Sequence, residues 1–312
     1  MRGVGCQRLC HRSGFDGMWW YAHVPIKSCE GVSMTHWHEP VSGFQYETHS
    51  LNLSLETQAE RLTACGIDPT IFGADVDPAF FIGLAIHAGI DSGISAEGNI
   101  NMLQRLIQHR PAKLGEMLTV KGEIKSVTPV PRGQRVETDV WFEDAAGERV
   151  ISCPRISLCP QAQSNANSGA GDKPRPVVDD LAELTLRDTY QLTPARVKSY
   201  SIEGNSIHYE QAAAERAGFR APLIGGGMGV HYLTAQMWLD CRPQSFDASI
   251  YFRRPIFWDE AVQVGVIETG DGWLGMGLLK LPVAGVGGAS GSQGDNTAKI
   301  GTELSLASYR LA

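Results

Sequence analysis

Two stretches of the chain read as long apolar helices, and alternating segments follow each of them. Phe80 to Ile90 and Ile224 to Leu239 are apolar over a helical length and with helical spacing. After the first, Val136, Thr138, Val140 and Phe142 face one way, with Glu137, Asp139 and Glu143 opposite. After the second, Phe246, Ala248, Ile250 and Phe252 alternate, and Val262, Val264 and Val266 do so again. Period two with one apolar face predicts half-buried antiparallel strands. One long helix covered by several such strands is an α+β layer arrangement.

The pattern occurs twice because the sequence does. "RPAKLGEMLTV" from Arg110 and "RPIFWDEAVQV" from Arg254 share R-P-x-x-x-[G/D]-E-x-[L/V]-x-V, 144 residues apart. The same offset lays "PAFFIGLAIH", Pro78 to His87, on "PLIGGGMGVH", Pro222 to His231. Two matches in one register predict a duplicated unit. Between the copies, residues 160–176 are polar, rich in Gly, Ser, Asn and Pro, and without apolar period, as a linker is. A similar run at 284–301 reads as a long hairpin loop between the last two strands. The expected organisation is an N-terminal extension over 1–40, a first repeat over 41–159, a linker over 160–182 and a second repeat over 183–312.

Composition narrows the partners. With 43% hydrophobic and 20% charged residues and a net charge of −7, the chain lacks the basic face that nucleic-acid binding needs. No run has the length of a membrane span. Seven scattered cysteines give neither a disulfide framework nor a zinc knuckle, and point to a reducing compartment. The cytoplasm is therefore expected. Arg2, Arg8 and Arg12 leave an organelle matrix as the alternative, and Met34 is the favoured start of translation. "HWHE" at 36–39 lacks further ligands, so no metal site is expected there.

The chemistry concentrates in "EGNSIHYEQAAAERAGFRAPLIGGG", residues 203–227. Glu203, Asn205 and His208 fall within six residues, Gly218 closes a short Ala-rich helix, and Pro222 precedes three glycines. Taken singly, Glu203 is a solvated loop acid, Asn205 a turn residue and His208 a helix cap; their joint spacing is what points to a site. A helix beginning near Leu223 exposes free N–H groups at its first turn, where a developing oxyanion is favoured. Glycines at 225–227 allow close approach of a ligand to that backbone, at a cost of about 1 kcal/mol each against alanine within a helix. Arg220, Arg253 and Arg254 are candidate partners for ligand phosphates and equally candidates for plain surface charge. Glu210 is a spare acid expected on a helix surface, and His87 and His231 are expected to be packed structural residues.

Residues 203–227 resemble the D-x-N-x-x-H and G-F-x-x-P-[I/L] motifs of MaoC-like (R)-specific enoyl-CoA hydratases, and "FRRPIFWDEAV" resembles their later strand motif. Two positions depart from that pattern: Glu203 stands where Asp is usual, and Gly225 where many members carry His. The resemblance implies a double hot-dog fold, two repeats each with a long central helix wrapped by a curved antiparallel sheet. It implies a hydro-lyase adding or removing water at the β-carbon of an acyl thioester, without metal or redox cofactor. Coenzyme A or a carrier protein would supply the thioester handle. Glu203 and His208 would share acid–base duties and Asn205 would fix the loop or orient the water. Gly226 or Gly227 would donate to the thioester oxygen, and Pro222, Arg220, Arg253 and Arg254 would line the substrate site. The first copy has no such motif before Pro78, so one site per chain is expected, with 99–107 lining an acyl pocket. A thioesterase and a non-catalytic acyl-thioester binding protein are the rival functions, and a homodimer of the fused pair stays open.

Overall fold

The computed structural model describes residues 37–96, 99–160, 174–201, 205–269, 272–281 and 298–311. The alternating stretches form β1 (His49–Leu51), β2 (Ile100–Gln108), β3 (Leu118–Val130), β4 (Gly133–Glu143), β5 (Arg149–Ser152) and β6 (Arg155–Pro160). A second group comprises β7 (Thr185–Gln191), β8 (Ser245–Phe252), β9 (Ala261–Thr269), β10 (Gly272–Lys280) and β11 (Lys299–Arg310). They join in one 11-stranded sheet of order β1-β3-β4-β5-β2-β8-β11-β10-β9-β7, with β6 paired to β2 and β4. The seam between the groups is the antiparallel β2–β8 pair, where Gln104 lies opposite Ile250 and Gln108 opposite Phe246. Burial follows the alternation: Val136, Thr138, Val140 and Phe142 point inward, as do Ala248, Ile250, Val262, Val264 and Val266. On β2, Gln104, Leu106 and Gln108 are buried while Ile100 and Met102 reach solvent.

Among the described residues there are five α-helices: α1 (Leu55–Cys65), α2 (Phe80–Asp91), α3 (Pro194–Ser201), α4 (Gln211–Arg216) and α5 (Gly226–Asp240). Helix α2 packs on β3 and β4, α5 packs on β9, β10 and β11, and the two helices touch. Every residue of α5 from Met228 to Trp238 is buried. A helix covered on all sides belongs to a core, and each large apolar side chain so buried contributes about 1.5–3 kcal/mol. Each group of strands thus covers one long apolar helix, the arrangement the repeat implied. No helix among the described residues is long and apolar enough to cross a membrane.

Backbone bonds show how the two copies correspond. Val76 N–H donates to Ala112 O at 2.8 Å, and Ile224 N–H donates to Ile256 O at 2.9 Å. Leu114 N–H donates to Ala74 O and Trp258 N–H to Pro222 O, both at 3.0 Å. Between these bonds sit the bridges Asp75–Lys113 and Leu223–Phe257. The repeated glutamate has the same task in each: Glu116 Oε2 accepts from Lys113 N–H at 2.9 Å, and Glu260 Oε2 from Phe257 N–H at 2.8 Å. The strand segments keep the 144-residue offset, but the segments entering the helices are displaced by four more residues. Asp77 is therefore the counterpart of Gly225, and His231 corresponds to Gly83 instead of His87. The alignment of "PAFFIGLAIH" with "PLIGGGMGVH" is wrong by one helical turn. A slip of one turn keeps nearly the same face of a helix buried, so the apolar pattern alone cannot detect it.

At the edges, His38 N–H donates to Gly93 O at 2.8 Å, which ties part of the expected 1–40 extension to the body. Residues 1–36 and 161–173 lie outside the described residues, and so does most of the 284–301 run, whose last three residues belong to β11. Lys280 pairs with Lys299 across β10 and β11, so that run bridges two adjacent antiparallel strands.

Candidate active site

Asn205 opens a single 3-10 turn, Ser206–His208, by accepting the Ile207 N–H on its side-chain oxygen at 3.2 Å. Such capping is the ordinary use of Asn at a helix start. It makes Asn205 the residue that fixes the loop. The turn is then stitched to the segment entering α5. Leu223 N–H donates to Ile207 O at 3.4 Å, and Leu223 O lies 2.8 Å from His208 Nδ1. A carbonyl only accepts, so Nδ1 carries the proton and Nε2 of the neutral ring holds the lone pair. Burial pushes His208 below the ordinary histidine range, and the bond to Leu223 opposes this more weakly. Near neutral pH the ring is uncharged, with its basic nitrogen pointing away from Leu223. Glu203 lies outside the described residues.

That nitrogen meets the start of α5. A Cβ on Gly225, the N-cap of the helix, would lie 3.8 Å from His208 Nε2. Gly226 is exposed, and Gly225 and Gly227 are partly so. Among the described residues no partner takes the Gly226 or Gly227 N–H, and this first turn opens toward solvent beside a histidine lone pair. The glycines also have packing reasons that ligand approach alone does not provide. A Cβ at 226 would sit 2.7 Å from the Phe252 ring, and one at 227 would sit 3.1 Å from Tyr200 Oη.

The segment between His208 and α5 is scaffold. Helix α4 ends at Arg216, and Gly218, with a φ of +84°, turns the chain back just beyond it. Glu210 is its exposed N-cap, without a side-chain capping bond. Pro222 is buried, with its carbonyl taken by Trp258 N–H. Pro222 therefore anchors the start of α5 to the segment before β9.

The arginines differ in how far they are committed. Arg220 forks onto Asp259 with two bonds of 2.8 Å, reaches Glu260 at 3.0 Å and lies over the Phe257 ring. Arg253 binds Glu303 Oε2 at 2.6 Å and the carbonyls of Pro174 and Arg175, and lies over Tyr251. It thereby holds the end of the expected linker against the sheet. Arg254 is exposed and donates to one carbonyl, Ile300 O, at 3.1 Å.

Behind the first turn lies a buried polar cluster that the sequence did not announce. His231 Nδ1 bonds Asp77 Oδ2 at 2.6 Å, and Thr234 Oγ1 bonds Asp77 Oδ1 at 2.7 Å. Asp77 Oδ1 also accepts from Ala79 N–H at 3.0 Å, and Asp77 N–H donates to Gln58 Oε1 at 2.8 Å. At the position matching the bare Gly225, the first copy thus carries a carboxyl that takes the Ala79 N–H just ahead of α2. Asp77 followed by Pro78 is a usual helix-start pair, and its register became visible only through the backbone bonds.

No family model matches the chain, and no curated protein matches it. Solved structures do. HtdX from Mycobacterium tuberculosis superposes with a TM-score of 0.64 at 17% identity, covering 83% of this chain and 98% of that one. A MaoC-like dehydratase from Phytophthora capsici gives 0.61 at 15% identity, covering 85% and 96%. A conserved Mycobacterium tuberculosis protein described as having a double hotdog fold gives 0.54 at 13% identity, covering 85% and 95%. The fold of this chain is the double hot-dog.

Proposed function

We propose that this protein is a hydro-lyase that adds or removes water at the β-carbon of an acyl thioester. The observation that carries this is the His208 Nε2 lone pair standing beside the bare first turn of α5. Hydration of an α,β-unsaturated thioester needs a base for water, a proton for the α-carbon and donors for the enolate oxygen. His208 Nε2 accepts a proton from water as the oxygen bonds to the β-carbon. The π electrons move toward the thioester oxygen, where Gly226 or Gly227 N–H meets the developing charge. The α-carbon then takes a proton from the acid–base pair of protonated His208 and Glu203, so the elements of one water are added and the pair returns to its starting charge. Glu203 shares this acid–base work, a part that rests on the motif spacing. Coenzyme A or a carrier protein supplies the thioester, and Arg254 is the least committed of the three arginines to protein partners and so the candidate for a phosphate. At Arg220 or Arg253 a phosphate would have to displace Asp259 or Glu303. The site belongs to the second copy, because in the first the carboxyl of Asp77 fills the corresponding helix start.

The test follows enoyl-thioester absorbance and free thiol together, on straight-chain enoyl-CoA and saturated acyl-CoA panels. Loss of the enoyl chromophore without thiol release is expected. Thiol release from the saturated panel would replace the hydro-lyase with a thioesterase.

The pH dependence carries a sign. His208 acts as a base when neutral, and its value lies below the ordinary 6.5. The expected kcat/KM rises with pH through a value under 6.5 and is level across neutrality. A rate still climbing between pH 7 and 8 would exclude neutral His208 as the base.

A further inference from the structure

Tyr200 is the penultimate residue of α3, just ahead of the motif loop, and its hydroxyl reaches the first turn of α5. A Cβ on Gly227 would lie 3.1 Å from Tyr200 Oη, tighter than ordinary contact, so the phenol stands close against this glycine. Two residues earlier, a Cβ on Gly225 would meet His208 Nε2 at an ordinary contact distance of 3.8 Å. A neutral acceptor nitrogen and a phenol hydroxyl therefore stand over one helix start.

The tyrosine is held from several sides. Arg61 on α1 donates from Nη1 to the Tyr200 carbonyl, and its guanidinium lies 5.1 Å from the ring centre. The His231 ring meets the Tyr200 ring edge-on, 5.6 Å between centres and 78° between planes. His231 is one turn beyond Gly227 on α5, hence on the same face, and Asp77 fixes its orientation at 2.6 Å. So much anchoring of one half-buried ring restricts where its hydroxyl points. Preset donors stabilise developing charge without reorganising during the reaction.

We infer that Tyr200 is a further catalytic residue: its hydroxyl donates a hydrogen bond to the thioester oxygen, beside the Gly226 and Gly227 N–H groups. This rests on the hydro-lyase assignment and adds to it a side-chain donor from outside the motif. No covalent step is involved; the phenol proton stays on Oη throughout.

Tyr200→Phe keeps the ring between Arg61 and His231 and removes only the hydroxyl. With the enoyl-CoA that the wild type turns over fastest, kcat is expected to fall by about tenfold to a hundredfold. KM should move little, and the melting temperature should match the wild type. A packing role would not produce that split. Tyr200→Phe at wild-type kcat, alongside an inactive His208→Asn control, overturns the tyrosine and leaves the hydro-lyase standing. A fall in kcat matched by a fall in melting temperature also overturns it. A wild type silent on the entire enoyl-CoA panel overturns the proposal together with the hydro-lyase.

Discussion

His208→Asn lowers kcat for enoyl-thioester hydration by about a hundredfold to ten-thousandfold, the range of a lost general acid–base group, and melts where the wild type melts. Asparagine suits the test because of how the histidine is bonded. His208 serves the fold through Nδ1–H, which donates to Leu223 O at 2.8 Å. The asparagine amide N–H can take over that bond to the strap entering α5. What asparagine lacks is a basic nitrogen facing Gly225. A structural role would therefore survive the substitution, and the chemical role would not. The residual rate should also lose the acid limb of its pH profile, because the group that titrates under 6.5 is gone. Steady-state kinetics and a thermal melt on the same preparation check both. Turnover near the wild-type rate in a well-folded variant removes His208 from the chemistry, and the assignment of this site with it.

Much of this arrangement could be read before any coordinates, for definite reasons. Strands β4, β8 and β9 were legible because each has one face in the core and one outside, which forces alternation of the Val136–Phe142 kind. Helices α2 and α5 were legible because buried helices are apolar over their length. The glutamate of the two R-P segments stood out because both copies need it to accept a turn N–H, at Lys113 and at Phe257. The motif gave His208 and Asn205 as neighbours because both sit on one short turn.

The remainder lies in contacts between segments far apart in sequence. The 144-residue match placed His87 on His231, since one helical turn costs the apolar pattern almost nothing. Only the bonds of Val76 and Ile224 to the strand segments fix the register. The glycines were attributed to a ligand, yet Phe252 and Tyr200 occupy the space where two of their side chains would be. Tyr200 itself was invisible. Helix α3 is short and mixed in character, and nothing in "PARVKSYS" says that its tyrosine reaches a helix that begins at Gly226. The capping residues Ser54 and Gly66 around α1 were a signal available and unused; the Ser54 side chain accepts from Thr57 N–H. Through Arg61 and Gln58, that helix supports both Tyr200 and Asp77.

Asp77 is where removing a single carboxyl should cost the fold most. Its two oxygens take His231 Nδ1–H, Thr234 Oγ1–H and Ala79 N–H, and all of this is out of water: Asp77 and Thr234 are 0% exposed and His231 1%. Asp77→Ala strands the imidazole N–H and the Ala79 N–H ahead of α2 in a dry interior. Thr234 loses less, since Val230 O already accepts from it at 3.1 Å. Breaking one partner out of such a buried set costs about 3–5 kcal/mol. Asp77→Asn should cost clearly less. Its oxygen still accepts from Ala79 and Thr234, and its amide can donate to His231 once that ring moves its proton to Nε2. The expected order in urea denaturation is wild type, then Asp77→Asn, then Asp77→Ala. Asp77 ties the start of α2 to the middle of α5, so the alanine variant should also slacken the ring that His231 meets at Tyr200. Its kcat should then fall at temperatures well below its own melting point. An alanine variant as stable as the wild type, or less damaged than the asparagine variant, would show that this contact is not what joins the two helices.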